Sequence, residues 1–139
     1  MGKPVAIPDI LPDLLQAQLR VVLCGTAAST VSAAAGHYYA NKQNKFWKIL
    51  HEIQLIPEPL QPHRYRELLR HGIGLTDLVK AHFGMDNQIP LSKLDDARAR
   101  LRASIEAFRP AFLAFTSKTA GEKFFGGKRD YGEIGRAHV

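Results

Sequence analysis

Two apolar runs of strand length, separated by most of the chain and each followed directly by small polar residues, constrain the fold more than any other feature. Leu19-Arg20-Val21-Val22-Leu23-Cys24-Gly25 is apolar and β-branched and ends on a glycine, which reads as a buried parallel strand entering a loop that Gly25 opens. Ala111 to Phe115 reads as a second buried strand, followed by Thr116-Ser117-Lys118 and a helix around Ala120 to Phe125. Between the two runs the apolar period changes to three and four. Phe46, Ile49, Leu50 and Ile53 share one helical face, and Pro57, Pro59 and Pro62 stop that helix. A short helix with Tyr65, Leu68 and Leu69 follows and ends at Gly72-Ile73-Gly74, after which Leu75 to Lys80 reads as a short mixed segment with Asp77 at a loop edge. Ser92 with Asp95 forms a capping-box-like start to the clearest helix, carrying Leu94, Ala97, Leu101, Ile105 and Phe108 until Pro110 breaks it. Strands alternating with helices imply an α/β layer architecture.

At 139 residues, 45% hydrophobic and 23% charged, the chain has the balance of one compact domain. Its longest apolar runs fall far short of the roughly 20 residues that cross a bilayer. Its first residues hold Lys3 and three prolines by Pro12 without a continuous apolar stretch, so the expected location is cytoplasmic. The single cysteine, Cys24, closes the first strand and reads as a small buried hydrophobe. The six histidines show no ligand spacing with Cys or carboxylates, so no metal is expected. A net charge of +6 makes a polyanionic partner plausible, because each phosphate neutralised by Lys or Arg releases counterions; charge alone leaves the matter open. Arg98, Arg100 and Arg102 avoid the apolar stripe of their helix and read as a solvated face in preference to a DNA groove.

Residues 26 to 44 are rich in Ala, Ser, Thr, Gly and Asn without lasting periodicity, and a long connection of this kind is where chemistry is expected. The last six residues, Ile134-Gly135-Arg136-Ala137-His138-Val139, back-translate as ATC-GGA-AGA-GCA-CAC-GTC, the sequence of a common sequencing adapter whose next triplet is a stop. Residues 1–133 are therefore expected to form the domain, incomplete at its C-terminus, with 134–139 as adapter read-through and the natural frame continuing past Gly132.

The stretch Val21 to Ser29, continuing through Ser32-Ala33, Gly36-His37-Tyr38-Tyr39-Ala40 and Asn44-Lys45-Phe46-Trp47, resembles the first motif region of the mismatch-specific (Mug and thymine-DNA glycosylase) type within the uracil-DNA glycosylase superfamily. The likeness continues through Leu60-Gln61-Pro62, Gly74 to Val79 and Leu113 to Lys118. It implies a three-layer α/β/α sandwich around a short, mostly parallel central sheet. It further implies a monomeric enzyme that flips a damaged or mismatched base out of double-stranded DNA and hydrolyses its N-glycosidic bond without a cofactor. The family's second motif, of Pro-Ser-Thr-Ser-Gly character, has no counterpart in this chain.

Gly25 to Ser29 occupies the place of a Gly-x-Asn-Pro-Gly motif that presents a water-orienting asparagine in relatives, and Ala27 stands at the asparagine's position. An alanine can neither orient nor deprotonate water. Asp77, on a segment that lines the pocket in relatives, is the expected replacement as water-activating carboxylate; the competing reading is a turn or N-cap aspartate for Leu78-Val79-Lys80. Tyr39, and less strongly Tyr38, matches the aromatic that stacks on the flipped base, against a packing role beneath the loop. Ser32 and the backbone of Thr26 to Ala28 are expected to contact base or phosphate, and Lys118 a phosphate. Asn44 is expected to cap the following helix and Trp47 to pin that helix to the sheet. A non-catalytic DNA-lesion binder is the alternative that Ala27 favours. An unrelated nucleotide-handling protein is disfavoured, because Gly25 to Ser29 has one glycine and no following Lys-Ser/Thr.

Overall fold

The computed structural model of the chain describes residues 10–80 and 91–127, and the C-terminal tail read as adapter lies outside them. Three parallel strands, β1 (Val21–Gly25), β2 (Ile73–Asp77) and β3 (Phe112–Phe115), form a sheet in the order β2-β1-β3. The helices are α1 (Thr30–Ala35), α2 (Phe46–Glu52), a 3-10 segment over Pro62–His71, α3 (Leu91–Phe108) and α4 (Lys118–Phe125). The expected α/β class with a short parallel sheet is the one observed.

Side-chain alternation along the strands divides the core into two layers. Leu23, Ile73 and Leu75 pack with Trp47 and Leu50 of α2 and with Tyr65 and Leu68 of the 3-10 segment. On the other side, Cys24 joins Leu94, Ala97 and Leu101 of α3 and Phe124 of α4, with Leu113 and Phe115 of β3 packed against them. Helices therefore cover both faces of the sheet. The stripe read on α3 is the buried one, and Leu101, almost fully buried, contributes about 2 kcal/mol by its removal from water.

Five local readings are corrected, the first being that β3, read as a buried strand, is an outer strand of this sheet, exposed at Phe112 and half-buried over Leu113 to Phe115. Leu75 to Lys80 is no mixed segment: its first half belongs to β2, whose five residues are all buried. Gly72 and Gly74 hid this strand, and Gly74 is there for close packing, since a Cβ would stand 2.6 Å from the Leu14 carbonyl oxygen and 2.7 Å from Leu19 Cδ1. Leu14 exchanges both backbone hydrogen bonds with Leu75, so the segment ahead of β1 covers the outer edge of β2. The connection from residue 26 contains a helix, α1, which Ser29 caps by accepting from the Ser32 N–H and Gly36 ends in the left-handed conformation. On α2 the buried face is Trp47 and Leu50, while Ile49 and Ile53 are exposed. Ser92 lies inside α3 and not at its cap.

Candidate active site

Parallel pairing brings the carboxyl ends of all three strands to one edge of the sheet, the edge where open α/β sheets bind ligands. In this register Gly25, the last residue of β1, stands opposite Asp77, the last of β2, and Thr116 follows directly on β3. The three converge with Tyr39 on the space above Gly25. A Cβ there would meet Asp77 Oδ1 at 2.8 Å, the Tyr39 hydroxyl at 3.0 Å and Thr116 Oγ1 at 3.6 Å. The hydroxyls of Tyr39 and Thr116 are themselves 3.0 Å apart. Gly25 thus opens the site by having no side chain.

Above this floor lies a cleft of about 360 Å³. Ala27, Ala28 and Ser29 of the loop after β1, Ser32 of α1, Tyr38, Tyr39 and Asp77 line it, with Asn41, Gln43 and Asn44 on the following loop. Of the residues singled out from sequence, Ala27, Ala28, Ser32, Tyr38, Tyr39, Asn44 and Asp77 therefore meet in one place. Thr26 does not line the cleft; it is buried and its carbonyl accepts from the Val79 N–H. Lys118 is the first residue of α4, half-buried and outside the cleft lining.

Asp77 is 5% exposed, and none of the described residues hydrogen-bonds to its carboxylate. The turn-cap reading fails, because the N–H groups of Leu78 and Val79 are taken by the carbonyls of Gly25 and Thr26. Burial raises the Asp77 pKa from 3.8 to about 6; Lys80 opposes the rise, Asp13 adds to it and Arg100 opposes it. The group is therefore ionised at neutral pH yet basic for a carboxylate. The same burial pushes the Cys24 thiol and the Tyr38 and Tyr39 phenols upward, so all three are neutral. Cys24 is the inert core residue that its position in the strand suggested.

The two tyrosines separate by role. Tyr38 is 1% exposed; its hydroxyl donates to the Pro12 carbonyl at 2.9 Å and accepts from Lys80 Nζ at 2.9 Å, while its ring packs edge-on against Tyr65. It forms a wall beneath the loop. Tyr39 is partly exposed, in the left-handed backbone region at φ 51°, with its ring stacked on Phe46 at 3.7 Å between centroids. Trp47 fixes both by donating its indole N–H to the carbonyls of Tyr38 and Tyr39, so it pins the tyrosine pair as well as its own helix. The expected cap of α2 is corrected: the N-cap is Lys45, without a side-chain cap bond, and Asn44 stands one residue ahead of it, its Oδ1 accepting from the Phe46 N–H at 2.8 Å to turn the chain into the helix. Ser32 closes the loop on itself: its Oγ accepts from the Ala40 N–H at 3.0 Å and from the Ser29 hydroxyl at 3.1 Å.

Behind Asp77 stands a charged cluster invisible in the sequence. Asp13 pairs with Lys80 at 2.9 Å and with Arg100 at 3.2 Å, and accepts from the Thr76 hydroxyl at 2.6 Å. Arg100 also donates to the carbonyls of Asp77 at 2.6 Å and Leu78 at 3.1 Å. It is therefore no solvated residue but the tie between α3 and the end of β2. Arg98 likewise donates to the Lys123 carbonyl, joining α3 to α4, and Arg102 sits 5.0 Å from the centre of the Phe124 ring. The amides Asn41 and Gln43 were not singled out either, although the amide density of Asn41-Lys42-Gln43-Asn44 was a signal for them. Among the described residues no three His, Cys, Asp or Glu side chains gather as metal ligands, and no helix is long and apolar enough to cross a membrane.

A buried carboxylate beneath a cleft at the carboxyl edge of a parallel sheet defines an α/β protein whose ligand is met by loops on a rigid scaffold. Residues 12–138 match the model of the uracil DNA glycosylase superfamily, and the chain belongs to that superfamily. Membership points to DNA as the substrate and to glycosylase chemistry in base excision repair.

Proposed function

We propose that the protein is a mismatch-specific DNA glycosylase that hydrolyses the N-glycosidic bond of a uracil or of a mismatched or deaminated base flipped out of double-stranded DNA, with Asp77 as the water-activating carboxylate. The observation that carries this reading is the Asp77 side chain itself: a buried carboxylate on the floor of the cleft, unpaired by the described residues, whose burial pushes its pKa up to about 6. Carboxylates serving only stability are paired or capped. This one retains its lone pairs for a molecule entering from above.

In the proposed reaction a water oxygen forms a bond to the sugar C1′ while the C1′–N bond breaks, and its electron pair leaves with the base. The water proton passes to Asp77, and the negative carboxylate also stabilises the positive charge that develops on the sugar. Ala27 presents only a methyl group, so orientation of the water falls to Asp77. Tyr39, which lines the cleft with its ring backed by Phe46, is the ring proposed to stack on the base, and the amides of the 41–44 loop can donate to the base's developing negative charge. Because base and carboxylate supply the proton and charge balance, the chemistry calls for no metal or redox group. A cleft of this size takes one extruded base and not a duplex, and extrusion is least costly at a mispair, which supports the preference for mismatches. A monomer suffices for this scheme, because every residue in it comes from one chain.

A second reading, a lesion binder that does not cut, is favoured by Ala27 alone. Base release from a duplex oligonucleotide carrying a G·U pair distinguishes them, measured for the natural chain, Asp77→Asn and Ala27→Asn. Release lost in Asp77→Asn supports the relocated carboxylate. Release that begins only with Ala27→Asn supports the binder.

A further inference from the structure

We infer that Asp13, on the segment ahead of β1, is a positioning residue for the site: it holds Lys80 and Arg100 to itself and so keeps both cations off the Asp77 carboxylate. The inference rests on the reading of Asp77 as the base. Lys80 is 6% exposed, and an ammonium so buried is tolerated only with a partner. Its hydrogens go to Asp13 Oδ1 and the Tyr38 hydroxyl. Arg100 spends its guanidinium on Asp13 Oδ2 and on the carbonyls of Asp77 and Leu78. Both cations thus flank the end of β2, and neither bonds the carboxylate three residues before Lys80. Thr76, pointing to the opposite side of β2 from its neighbour, fixes Asp13 through the 2.6 Å bond to Oδ1.

The arrangement contains two cations and two carboxylates, so it is electrically balanced only while Asp77 is ionised. The charged groups acting on Asp77 are Lys80 after β2, Asp13 ahead of β1 and Arg100 on α3. Cys24, Tyr38 and Tyr39 also face this region and are neutral. Without the Asp13 charge, Lys80 and Arg100 would act on Asp77 unopposed, favouring its ionised form, trapping it in ion pairs and making it a poorer base. Without Arg100, the balance tips the other way. Asp13 therefore sets how basic the site carboxylate is from outside the cleft lining.

The test follows the Asp77 carboxyl carbon by NMR titration in the full chain, together with the pH profile of base release from a G·U duplex, for Asp13→Asn, Asp13→Glu and Arg100→Gln. Asp13→Asn is expected to move the midpoint down by about one pH unit, Arg100→Gln to move it up, and Asp13→Glu to return it toward the natural value. Starting from a midpoint of about 6, the first change raises the ionised fraction at pH 5 about fivefold. A purely structural role for Asp13 would lower activity at every pH and leave the midpoint in place. An unmoved midpoint, or one that moves the same way in Asp13→Asn and Arg100→Gln, overturns the inference; should Asp13→Asn not fold, an Arg100→Gln midpoint that fails to rise does so alone. If the midpoints move as stated but no base is released by any form, the cluster stands and the glycosylase reading falls. If base is released and the midpoints stay put, the reverse holds.

Discussion

Replacing Asp77 by Asn should make the protein more stable and less active at once, and the size of the stability gain follows from the structure. Burial raises the carboxyl pKa from 3.8 to about 6, so the folded state holds this proton more tightly than the unfolded chain. Stability therefore falls as pH rises between these two values, because the folded protein must surrender a proton that the unfolded chain has already lost. A difference of about two pH units corresponds to about 3 kcal/mol of destabilisation at pH 7 and to about 1 kcal/mol at pH 4.5. The neutral asparagine is isosteric and escapes this cost. For a domain of this size the gain at pH 7 amounts to roughly 10 °C in melting temperature. Urea denaturation at pH 7 and pH 4.5, read by the fluorescence of the single tryptophan, Trp47, measures both values. Base release by the same variant should fall by about 10²- to 10⁴-fold, the range of a lost general base. A variant no more stable than the natural protein at pH 7, or one whose gain is as large at pH 4.5, would refute the reasoning, since ionisation of Asp77 would then not be what strains the fold.

Gly25→Ala places a methyl group 2.8 Å from Asp77 Oδ1 and 3.0 Å from the Tyr39 hydroxyl; it should cost about 1–3 kcal/mol in denaturant melts and abolish measurable base release. Tyr39→Phe keeps the ring on Phe46 and loses only the bond to Thr116, so it should stay close to natural affinity, whereas Tyr39→Ala should weaken binding of a G·U duplex about tenfold or more by loss of stacking, read by fluorescence anisotropy. Ser32→Ala leaves the Ala40 N–H without its acceptor and should lower stability by about 1 kcal/mol, with faster hydrogen exchange at Ala40 as the local signature.

Where a pattern was local, the sequence was a sound guide. The apolar stripe of α3 from Leu94 to Leu101 is the buried one, and β1 and β3 lie where unbroken apolar runs stop at small residues. β2 escaped because its core positions are divided by Gly74, whose purpose is the approach of Leu14 from far along the chain. On α2 the apolar count favoured a face containing Ile49 and Ile53, yet the indole of Trp47 and its bonds to two carbonyls decide which way the helix rolls. The cleft residues Ala27, Ser32 and Tyr39 came from a motif resemblance, and the connection between β1 and α2, helix α1 included, brings them to one cleft.

Strand and helix periods, the glycine that ends β1 and the breaks at the prolines were thus determined by the sequence by itself, because each depends on neighbours within a turn or a strand. Only the tertiary structure decided that Asp77 faces Gly25 across a parallel register, that Arg100 turns inward, and that Asp13 answers both cations behind the site. Register, and the partner of a buried charge, are relations between residues 50 to 90 positions apart, closed by burial of the whole core, and no local pattern encodes them.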